Sequence, residues 1–514
     1  MASRSPLAAQ FERLMRPLDW LFNRVYTSRW NPLYQSGALA LFLVLLTLVS
    51  GVYLIFCYSI SAPYESVSSI HQAYPGVWIR SLHRYASDLA VVAIVFHILK
   101  MLTTDRTWGP RMRAWMSGWV VFGAMLVCGW TGLALVWDEQ AQLLVLEVVR
   151  LLDCLPFFPE PLARLLVGPE MPRGFFFSLL FLHVAAPLGL GGLYLLHVSS
   201  VARPTHQPPR PIRLYTFALL AVLAALVPAP LGPAADLSKL PGRVPVDFFY
   251  SGWLIVSPWL TGWAMWAALL LTALLALSVP WWWRPTGEPP QPSWVDWESC
   301  TGCTTCYLDC PYEAISMVER TGPTADERHS KYVALVNADA CVSCGICSGS
   351  CAPMGVGPPD RTGKAQLLHV KGWFDEHRPI GKLVVVACTK SPTPSQGVLF
   401  PVSCAGAVHT SVLEYLLKRG ALGVYLLSCP QRDCWNREGP RWAHERIYNQ
   451  REAELQARVD RRRIATGAFA FTEARPARAA IDAFAASLAP FERPLATEEV
   501  AMPTPECEEK QIDG

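Results

Sequence analysis

The sequence lacks the signatures of most soluble enzyme classes. It contains no Gly-rich dinucleotide fingerprint, no phosphate-binding loop, no Ser-His-Asp arrangement and no Cys-x2-Cys-His motif for covalent haem attachment. Charged residues make up only 17% of the 514 residues, and the formal net charge is +3. These absences argue against a nicotinamide enzyme, a nucleotide hydrolase, a serine hydrolase and a c-type cytochrome, and we expect no binding of nucleic acid.

Long apolar runs fill the first half of the chain and predict six membrane-spanning helices, of which the fifth is short. They lie near residues 36–58, 84–102, 115–137, 175–199, 214–231 and 252–279. The N-terminus is basic and amphipathic, which argues against a cleavable signal peptide. Basic residues are concentrated before the first run and in alternate loops. We therefore expect a multi-pass protein of the cytoplasmic (inner) membrane, with the N-terminus and the C-terminal half both cytoplasmic.

Four histidines occur in two pairs of equal spacing inside these apolar runs. His83 and His97 are fourteen residues apart, and so are His183 and His197. Fourteen residues of helix rise about 21 Å and return to the same face. Two such helices side by side bring four imidazoles into two facing pairs, which suits two haems stacked across a bilayer. Ionisable side chains within spans are costly, which argues against four unrelated polar residues.

Glycines repeat the same interval in the first and third runs. The pairs are Gly37 with Gly51 and Gly118 with Gly132. A haem lying against a helix needs a position without a side chain, so these residues are candidate haem-contact positions. Arg80 lies three residues before His83, and Lys100 lies three residues after His97. Contact with a haem propionate and snorkelling to the interface explain these two charges equally well.

Residues about 30–200 resemble cytochrome b of the quinol-oxidising bc-type complexes. The resemblance rests on both histidine pairs and on the segments Trp30-Asn31-Pro32, Arg80-Ser81-Leu82-His83 and Thr131-Gly132 to Trp137-Asp138. It implies two b haems, one held by the first histidines of the two pairs (positions 83 and 183) and the other by the second histidines (positions 97 and 197).

The resemblance also bears on the loop before the last apolar run. Residues Pro245-Val246-Asp247-Phe248 are similar to the loop that ends in Pro-Glu-Trp-Tyr in bc-type complexes, where the Glu accepts a quinol proton. The carboxylate is displaced by one position here. Asp247 is therefore a candidate proton carrier for quinone, and an ordinary turn before a helix is an equal interpretation.

Eight cysteines beyond residue 299 match two runs of the bacterial ferredoxin pattern. In that pattern three cysteines of a run bind one [4Fe–4S] cluster and the fourth reaches the other cluster. One predicted cluster has the ligands Cys300, Cys303, Cys306 and Cys351. The other has the ligands Cys341, Cys344, Cys347 and Cys310. Zinc does not need a fourth cysteine at this offset, and disulfides are disfavoured in the cytoplasm.

Four more cysteines follow predicted strands of an α/β sheet. They are Cys388, Cys404, Cys429 and Cys434. Cysteines at the C-terminal ends of parallel strands converge on one sheet edge, which suits a [2Fe–2S] cluster or zinc. The segments Cys404 to His409 and Leu427 to Gly439 resemble the delta subunit of methyl-viologen-type [NiFe] hydrogenases, which links a hydrogenase to the flavoprotein of heterodisulfide reductase. The usual second cysteine of the first pair is Ser391 here.

The expected fold is multi-domain: an all-α six-helix transmembrane haem bundle, an α+β ferredoxin-like two-cluster domain, and a small α/β iron–sulfur domain. The expected segments are a basic amphipathic N-terminal segment (1–29), the di-haem domain (30–283), a Pro-rich linker (284–299), the ferredoxin-like domain (300–370), the delta-subunit-like domain (371–493) and an acidic tail (494–514).

These carriers predict an oxidoreductase subunit that exchanges electrons with quinone. Its cofactors are two haem b groups, two [4Fe–4S] clusters and one [2Fe–2S] cluster, with quinone as the substrate. The resemblance implies a cytoplasmic partner similar to the heterodisulfide reductase flavoprotein, or another dehydrogenase, and a homodimer through the cytochrome b-like domain is a further option. Two other functions stay open, a non-catalytic membrane anchor or scaffold and a redox sensor. A scaffold does not need eight ferredoxin cysteines, and no output domain is recognisable.

Overall fold

A computed structural model describes residues 5–491, apart from 105, 158–159, 167–172, 200, 246, 285–289, 323–329, 450 and 452–454. The predicted acidic tail and part of the predicted Pro-rich linker therefore lie outside the described residues. Helices make up the first half of the chain, and two small sheet-containing regions follow.

Nine helices form the first half of the described chain. In chain order they are α1 (Pro6–Trp30), α2 (Ser36–Cys57), α3 (Pro63–Gln72), α4 (Gly76–Thr103), α5 (Met112–Ala134), α6 (Glu139–Leu152), α7 (Arg173–Ser199), α8 (Arg210–Leu226) and α9 (Gly262–Trp282). Helix α2 packs along α4, and α5 packs along α7. Small buried side chains such as Ala86 and Ala90 of α4 allow this close approach.

Five of the described helices, rather than six, are long and apolar enough to cross a membrane: α2, α4, α5, α7 and α9. The predicted fifth span corresponds to α8, which has 17 residues. At about 1.5 Å per residue, α8 is a few ångströms shorter than a hydrocarbon core of about 30 Å. Prolines at 228, 230 and 233 follow its end and prevent continuation. Residues 252–259, predicted as the start of the sixth span, instead form two 3-10 turns, the second containing Pro258.

The stretch after the third span forms the amphipathic helix α6. Asp138 caps its N-terminus by accepting a hydrogen bond from the backbone N–H of Ala141 at 3.0 Å. The basic N-terminal segment forms α1, which contacts the C-terminal region. Asn23 donates to Thr472 at 2.8 Å, and the backbone N–H of Ser28 donates to Glu473 at 2.8 Å.

The region with the two ferredoxin-type cysteine runs is a small α+β unit. Strand β1 (Trp294–Val295) pairs antiparallel with β4 (Val356–Gly357), and β2 (Ile315–Glu319) forms an antiparallel hairpin with β3 (Tyr332–Val336). The short helices α10 (Thr305–Asp309) and α11 (Ile346–Ser350) each end one residue before the last cysteine of a run. The hairpin accounts for the long insertion between the runs.

The C-terminal region is a four-stranded parallel sheet with helices around it. Helix α12 (Gly363–His377) precedes the sheet, whose strand order is β6 (Val398–Val402), β5 (Leu383–Cys388), β7 (Gly423–Ser428) and β8 (Ile464–Ala468). The other helices are α13 (Thr410–Lys418), α14 (Gly439–Tyr448) and α15 (Ala474–Ser487). The three predicted strands are present, and strands β5 and β7 are buried along their whole length.

Candidate electron-transfer sites

Each of the four predicted histidines lies against one of the four predicted glycines. A Cβ atom built on Gly37 would lie 2.9 Å from Cε1 of His97, and one on Gly51 would lie 3.1 Å from Cε1 of His83. On the second helix pair, the corresponding distances are 3.2 Å from Gly118 to His197 and 2.8 Å from Gly132 to His183. The glycines were expected to leave room for haem faces. In the structure they also leave room for the imidazole rings of the neighbouring helix.

The His83 and His183 rings face each other with their centroids 6.4 Å apart. Two imidazole–metal bonds of about 2 Å each, together with the distance from each bound nitrogen to the centroid of its ring, span a similar distance. The Nδ1 atom of His83 lies 3.0 Å from the carbonyl oxygen of Thr47, and that of His183 lies 2.9 Å from the carbonyl oxygen of Cys128. These contacts place the ring proton on Nδ1, which leaves Nε2 free to bind a metal.

Hydroxyl groups next to the glycines also contact the histidines, and sequence reasoning missed them. The hydroxyl oxygens of Ser50, Ser117 and Thr131 lie 3.1, 3.1 and 3.2 Å from Nδ1 of His83, His197 and His183. The signal was present in the chain, because each of the four glycines follows a Ser or Thr.

One cavity of about 1510 Å³ contains all eight of these positions. It is lined by α2, α4, α5 and α7, so it runs through the helical bundle. Its end near His97 and His197 extends to Tyr312 and Ala340 of the ferredoxin-like region and to Cys434 of the C-terminal region. We refer to this end as the iron–sulfur end of the bundle.

The two predicted cations are engaged by protein groups. Arg80 donates to the carbonyl oxygens of Ala229 and Pro230, both at 2.7 Å. Lys100 forms an ion pair with Asp433 of the C-terminal region at 2.6 Å. Both residues also line the large cavity. The structure therefore gives each cation a protein partner that the sequence did not predict.

Asp247 lies at the opposite end of the cavity from the iron–sulfur region and is largely buried. Its carboxylate pairs with Arg84 and accepts a hydrogen bond from the backbone N–H of Tyr250 at 2.6 Å. Arg84 also contacts Asp88 at 3.3 Å. Asp247 thus borders the side of the cavity that holds His83 and His183.

The eight ferredoxin-type cysteines lie around two places in this region. One small cavity is lined by the four cysteines Cys300, Cys303, Cys306 and Cys351. Around the other group, the backbone N–H of Ser293 donates to the sulfur of Cys341, and that of Ala314 donates to the sulfur of Cys310, both at 3.4 Å. Such N–H···S contacts are typical of cluster ligands and influence cluster potentials.

Burial affects the protonation of these thiols. It raises the pKa of Cys347 to about 12 and also raises the pKa values of Cys306 and Cys310. Thiols of this kind lose their protons when they bind a positively charged metal group, so their chemistry fits metal binding rather than nucleophilic reactivity.

The last four cysteines converge at the C-terminal edge of the parallel sheet, and all four are buried. The thiols are near neighbours: Cys429 lies beside Cys388 and Cys434, and Cys434 lies beside Cys404. A Cβ atom on Gly439 would lie 2.8 Å from the sulfur of Cys404, so glycine leaves space beside the sulfurs.

Two arginines connect the helical bundle to the iron–sulfur regions. Arg106 donates to the carbonyl oxygen of Cys434 at 2.6 Å. Arg437 donates to the carbonyl oxygen of Arg203, six residues after His197, at 2.6 Å and to that of Pro311 at 3.0 Å. Pro311 directly follows the predicted cluster ligand Cys310. The two contacts of Arg437 therefore connect the backbone beside this ligand to the helical bundle.

Comparison with known sequence families supports a division into three parts. Residues 22–204 match the model for cytochrome b/b6, residues 299–355 match the 4Fe-4S dicluster domain, and residues 383–491 match the methyl-viologen-reducing hydrogenase delta subunit. The fold and these matches define a multi-domain membrane protein of electron carriers. In particular, the chain joins a cytochrome b region, which implies haem, to a [4Fe–4S] domain and a hydrogenase delta-subunit domain.

A curated relative agrees with the first of these matches, and a solved structure is also similar. The menaquinol:cytochrome c reductase cytochrome b subunit of Geobacillus thermodenitrificans is 27% identical over 174 residues, which cover 32% of this chain and 78% of that protein. A solved structure titled "Hyperthermophilic respiratory Complex III" is 17% identical with a TM-score of 0.39, covering 53% of this chain and 82% of that chain. The latter similarity is too low to support a functional argument.

Proposed function

We propose that this protein is a membrane subunit that passes electrons between a cytoplasmic flavin or iron–sulfur partner and the quinone pool. The carriers are two b haems, two [4Fe–4S] clusters and one [2Fe–2S] cluster. The observation that carries the proposal is the single cavity that contains all four histidines and reaches Tyr312 and Cys434, next to predicted cluster ligands. Carriers arranged in this way form a continuous route between an aqueous domain and the membrane.

The predicted haem sites are the His83–His183 pair and the His97–His197 pair. The centroid separation of the first pair leaves room for one metal atom between the rings. The close Gly–His contacts and the Nδ1 hydrogen bonds support fixed imidazole orientations, which axial ligation requires. A haem bound here supplies one-electron transfer, while the protein fixes the ligands and excludes water.

The third centre is proposed as a [2Fe–2S] cluster bound by Cys388, Cys404, Cys429 and Cys434. Four converging cysteine sulfurs also suit tetrahedral zinc, and iron and zinc analysis of the purified protein distinguishes the two. The likeness of this region to a hydrogenase delta subunit supports a heterodisulfide-reductase-like or other dehydrogenase partner.

Quinone is proposed as the membrane substrate because the similar Geobacillus protein is named as a menaquinol-oxidising subunit. The site is proposed at the His83–His183 end of the cavity, with Asp247 as the proton carrier. Two haems across the bilayer are useful mainly when charge crosses it, since one haem suffices for a site at the iron–sulfur end. The iron–sulfur regions and the N-terminus are proposed to be cytoplasmic, following the basic loops.

The purified full chain tests this function directly. We expect two b haems and about ten non-haem irons per chain, with haem reduction by a quinol analogue and by reduced clusters. A protein that contains haem but exchanges electrons with neither a quinol nor the clusters would instead be an anchor. Identification of co-purifying subunits by mass spectrometry tests the proposed partner class.

A further inference from the structure

A buried ion pair joins the ferredoxin-like region to the C-terminal region. Arg446 on α14 is 1% exposed, and Asp309 at the end of α10 is fully buried. A guanidinium nitrogen of Arg446 lies 3.5 Å from the Asp309 carboxylate. The other carboxylate oxygen of Asp309 pairs with Arg451 at 2.5 Å.

The remaining hydrogen bonds of Arg446 reach the backbone and side chains beside predicted cluster ligands. Arg446 donates to the carbonyl oxygen of Gly406 at 2.6 Å, to that of Ile346 at 3.0 Å and to the hydroxyl of Ser350 at 2.6 Å. Gly406 lies two residues after Cys404, Ile346 and Ser350 directly precede Cys347 and Cys351, and Asp309 directly precedes Cys310. One guanidinium thus contacts positions next to ligands of all three proposed centres.

The surrounding chain is shaped to hold this guanidinium. A Cβ atom on Gly349 would collide with Nη1 of Arg446, so only glycine leaves the necessary space. Ser350 also donates to the Asp309 carboxylate at 2.7 Å. Buried ion pairs are costly to desolvate and are often replaceable by apolar side chains without loss of stability. Stability alone therefore does not account for a charged pair at this position.

We propose that the buried pair of Arg446 and Asp309 sets the reduction potentials of the three adjacent iron–sulfur centres. This inference depends on the proposed function, because it assumes that the clusters are bound. Reduction adds negative charge to a cluster. A nearby buried cation favours the reduced form, and a nearby buried carboxylate disfavours it. The pair is thus a positioning and tuning device rather than a group that contacts substrate.

Redox titration of the intact protein followed by EPR tests the proposal. Arg446→Met should lower the potentials of the adjacent centres, and Asp309→Asn should raise them. We expect each change to alter the equilibrium constant for one-electron reduction at least tenfold, which corresponds to about 59 mV. Arg441→Met is the matched control, since Arg441 lies on the same helix but is exposed and pairs with Glu445 at 3.1 Å. It should leave all potentials unchanged.

Opposite signs distinguish an electrostatic role from a structural one. Potentials that do not move in either variant, or that move in the same direction in both, would overturn the proposal. Where Arg446→Met loses its clusters, Asp309→Asn decides the question, because it removes a charge while preserving shape. If the unmodified protein shows no iron–sulfur signals, the proposed function itself fails; normal signals with unmoved potentials refute only this inference.

Discussion

The contact between Gly132 and His183 gives a specific prediction about haem binding. A Cβ atom at Gly132 would lie 2.8 Å from Cε1 and 3.3 Å from Nδ1 of His183, whereas carbon atoms in contact prefer about 3.5–4.0 Å. The ring has little freedom to move, because its Nδ1 atom lies 2.9 Å from the carbonyl oxygen of Cys128 and 3.2 Å from the hydroxyl of Thr131. Gly132→Ala therefore has to displace the ring and strain both contacts.

Overpacking of this kind costs about 1–3 kcal/mol, which corresponds to roughly 5- to 140-fold weaker binding of the haem held by His183. Gly132→Val should remove that haem entirely, since its side chain is larger. The pyridine haemochrome assay measures the ratio of haem to protein, and a redox titration identifies which haem remains. We expect one haem with the potential of the His97–His197 site.

Gly123 provides the matched control for this experiment. It lies on the same helix, α5, and a Cβ atom there meets no other atom within 4 Å. Gly123→Ala and Gly123→Val should keep both haems at unchanged potentials. The reasoning would be refuted if Gly132→Val kept two haems with unaltered potentials, or if the variants at both glycines lost haem equally.

Three further predictions concern the other sites. His97→Ala should lose the haem at the iron–sulfur end and keep the other haem, as measured by haem content, because the two sites share no ligand. His206→Ala is the control and should keep both haems, since the His206 side chain contacts Tyr194. Two unchanged haems in the His97 variant would contradict the pairing. Cys429→Ser should remove one [2Fe–2S]-type EPR signal and preserve both [4Fe–4S] signals, whereas zinc with only about eight non-haem irons in the unmodified protein would contradict this prediction. Asp247→Asn should slow quinone-linked turnover in proteoliposomes, and turnover should respond to an imposed membrane potential, because moving one charge across the membrane is worth ~2.3 kcal/mol per 100 mV. Asp236→Asn, in an exposed loop, is the control. Potential-independent turnover by a fully active Asp247 variant would locate the chemistry at the iron–sulfur end.

Regular spacing made the helical bundle and its candidate ligands predictable. An interval of fourteen residues fixes both the helix face and the axial separation, so the histidine and glycine positions follow from helix geometry alone. The parallel strands β5, β6 and β7 were equally accessible, because each combines apolar β-branched residues with a following cysteine. Strand β8 was missed because its sequence, Ile464-Ala465-Thr466-Gly467-Ala468, contains small residues and glycine, which weaken a strand pattern.

The lengths of the apolar helices were harder to predict than their positions along the chain. Residues 214–231 and 252–261 are apolar enough to suggest helix, but prolines end α8 early and favour turns before α9. Apolar composition measures preference for a nonpolar environment and does not measure helix continuity. The turns keep the described residues between α8 and α9 outside these two helices. This arrangement brings Asp247 and Tyr250 against α4, where the Tyr250 hydroxyl lies 2.5 Å from that of Ser87.

The polar contacts between the regions could not have been predicted, because they join residues far apart in the chain without any local pattern. Arg106 and Cys434 are separated by 328 positions, and Arg446 and Asp309 by 137. A buried arginine in a sequence looks like any surface arginine until its partners are located. The cysteine spacings specify which cofactors the chain can bind. The long-range arginine contacts determine how the three regions are oriented, and electron transfer through one chain depends on both.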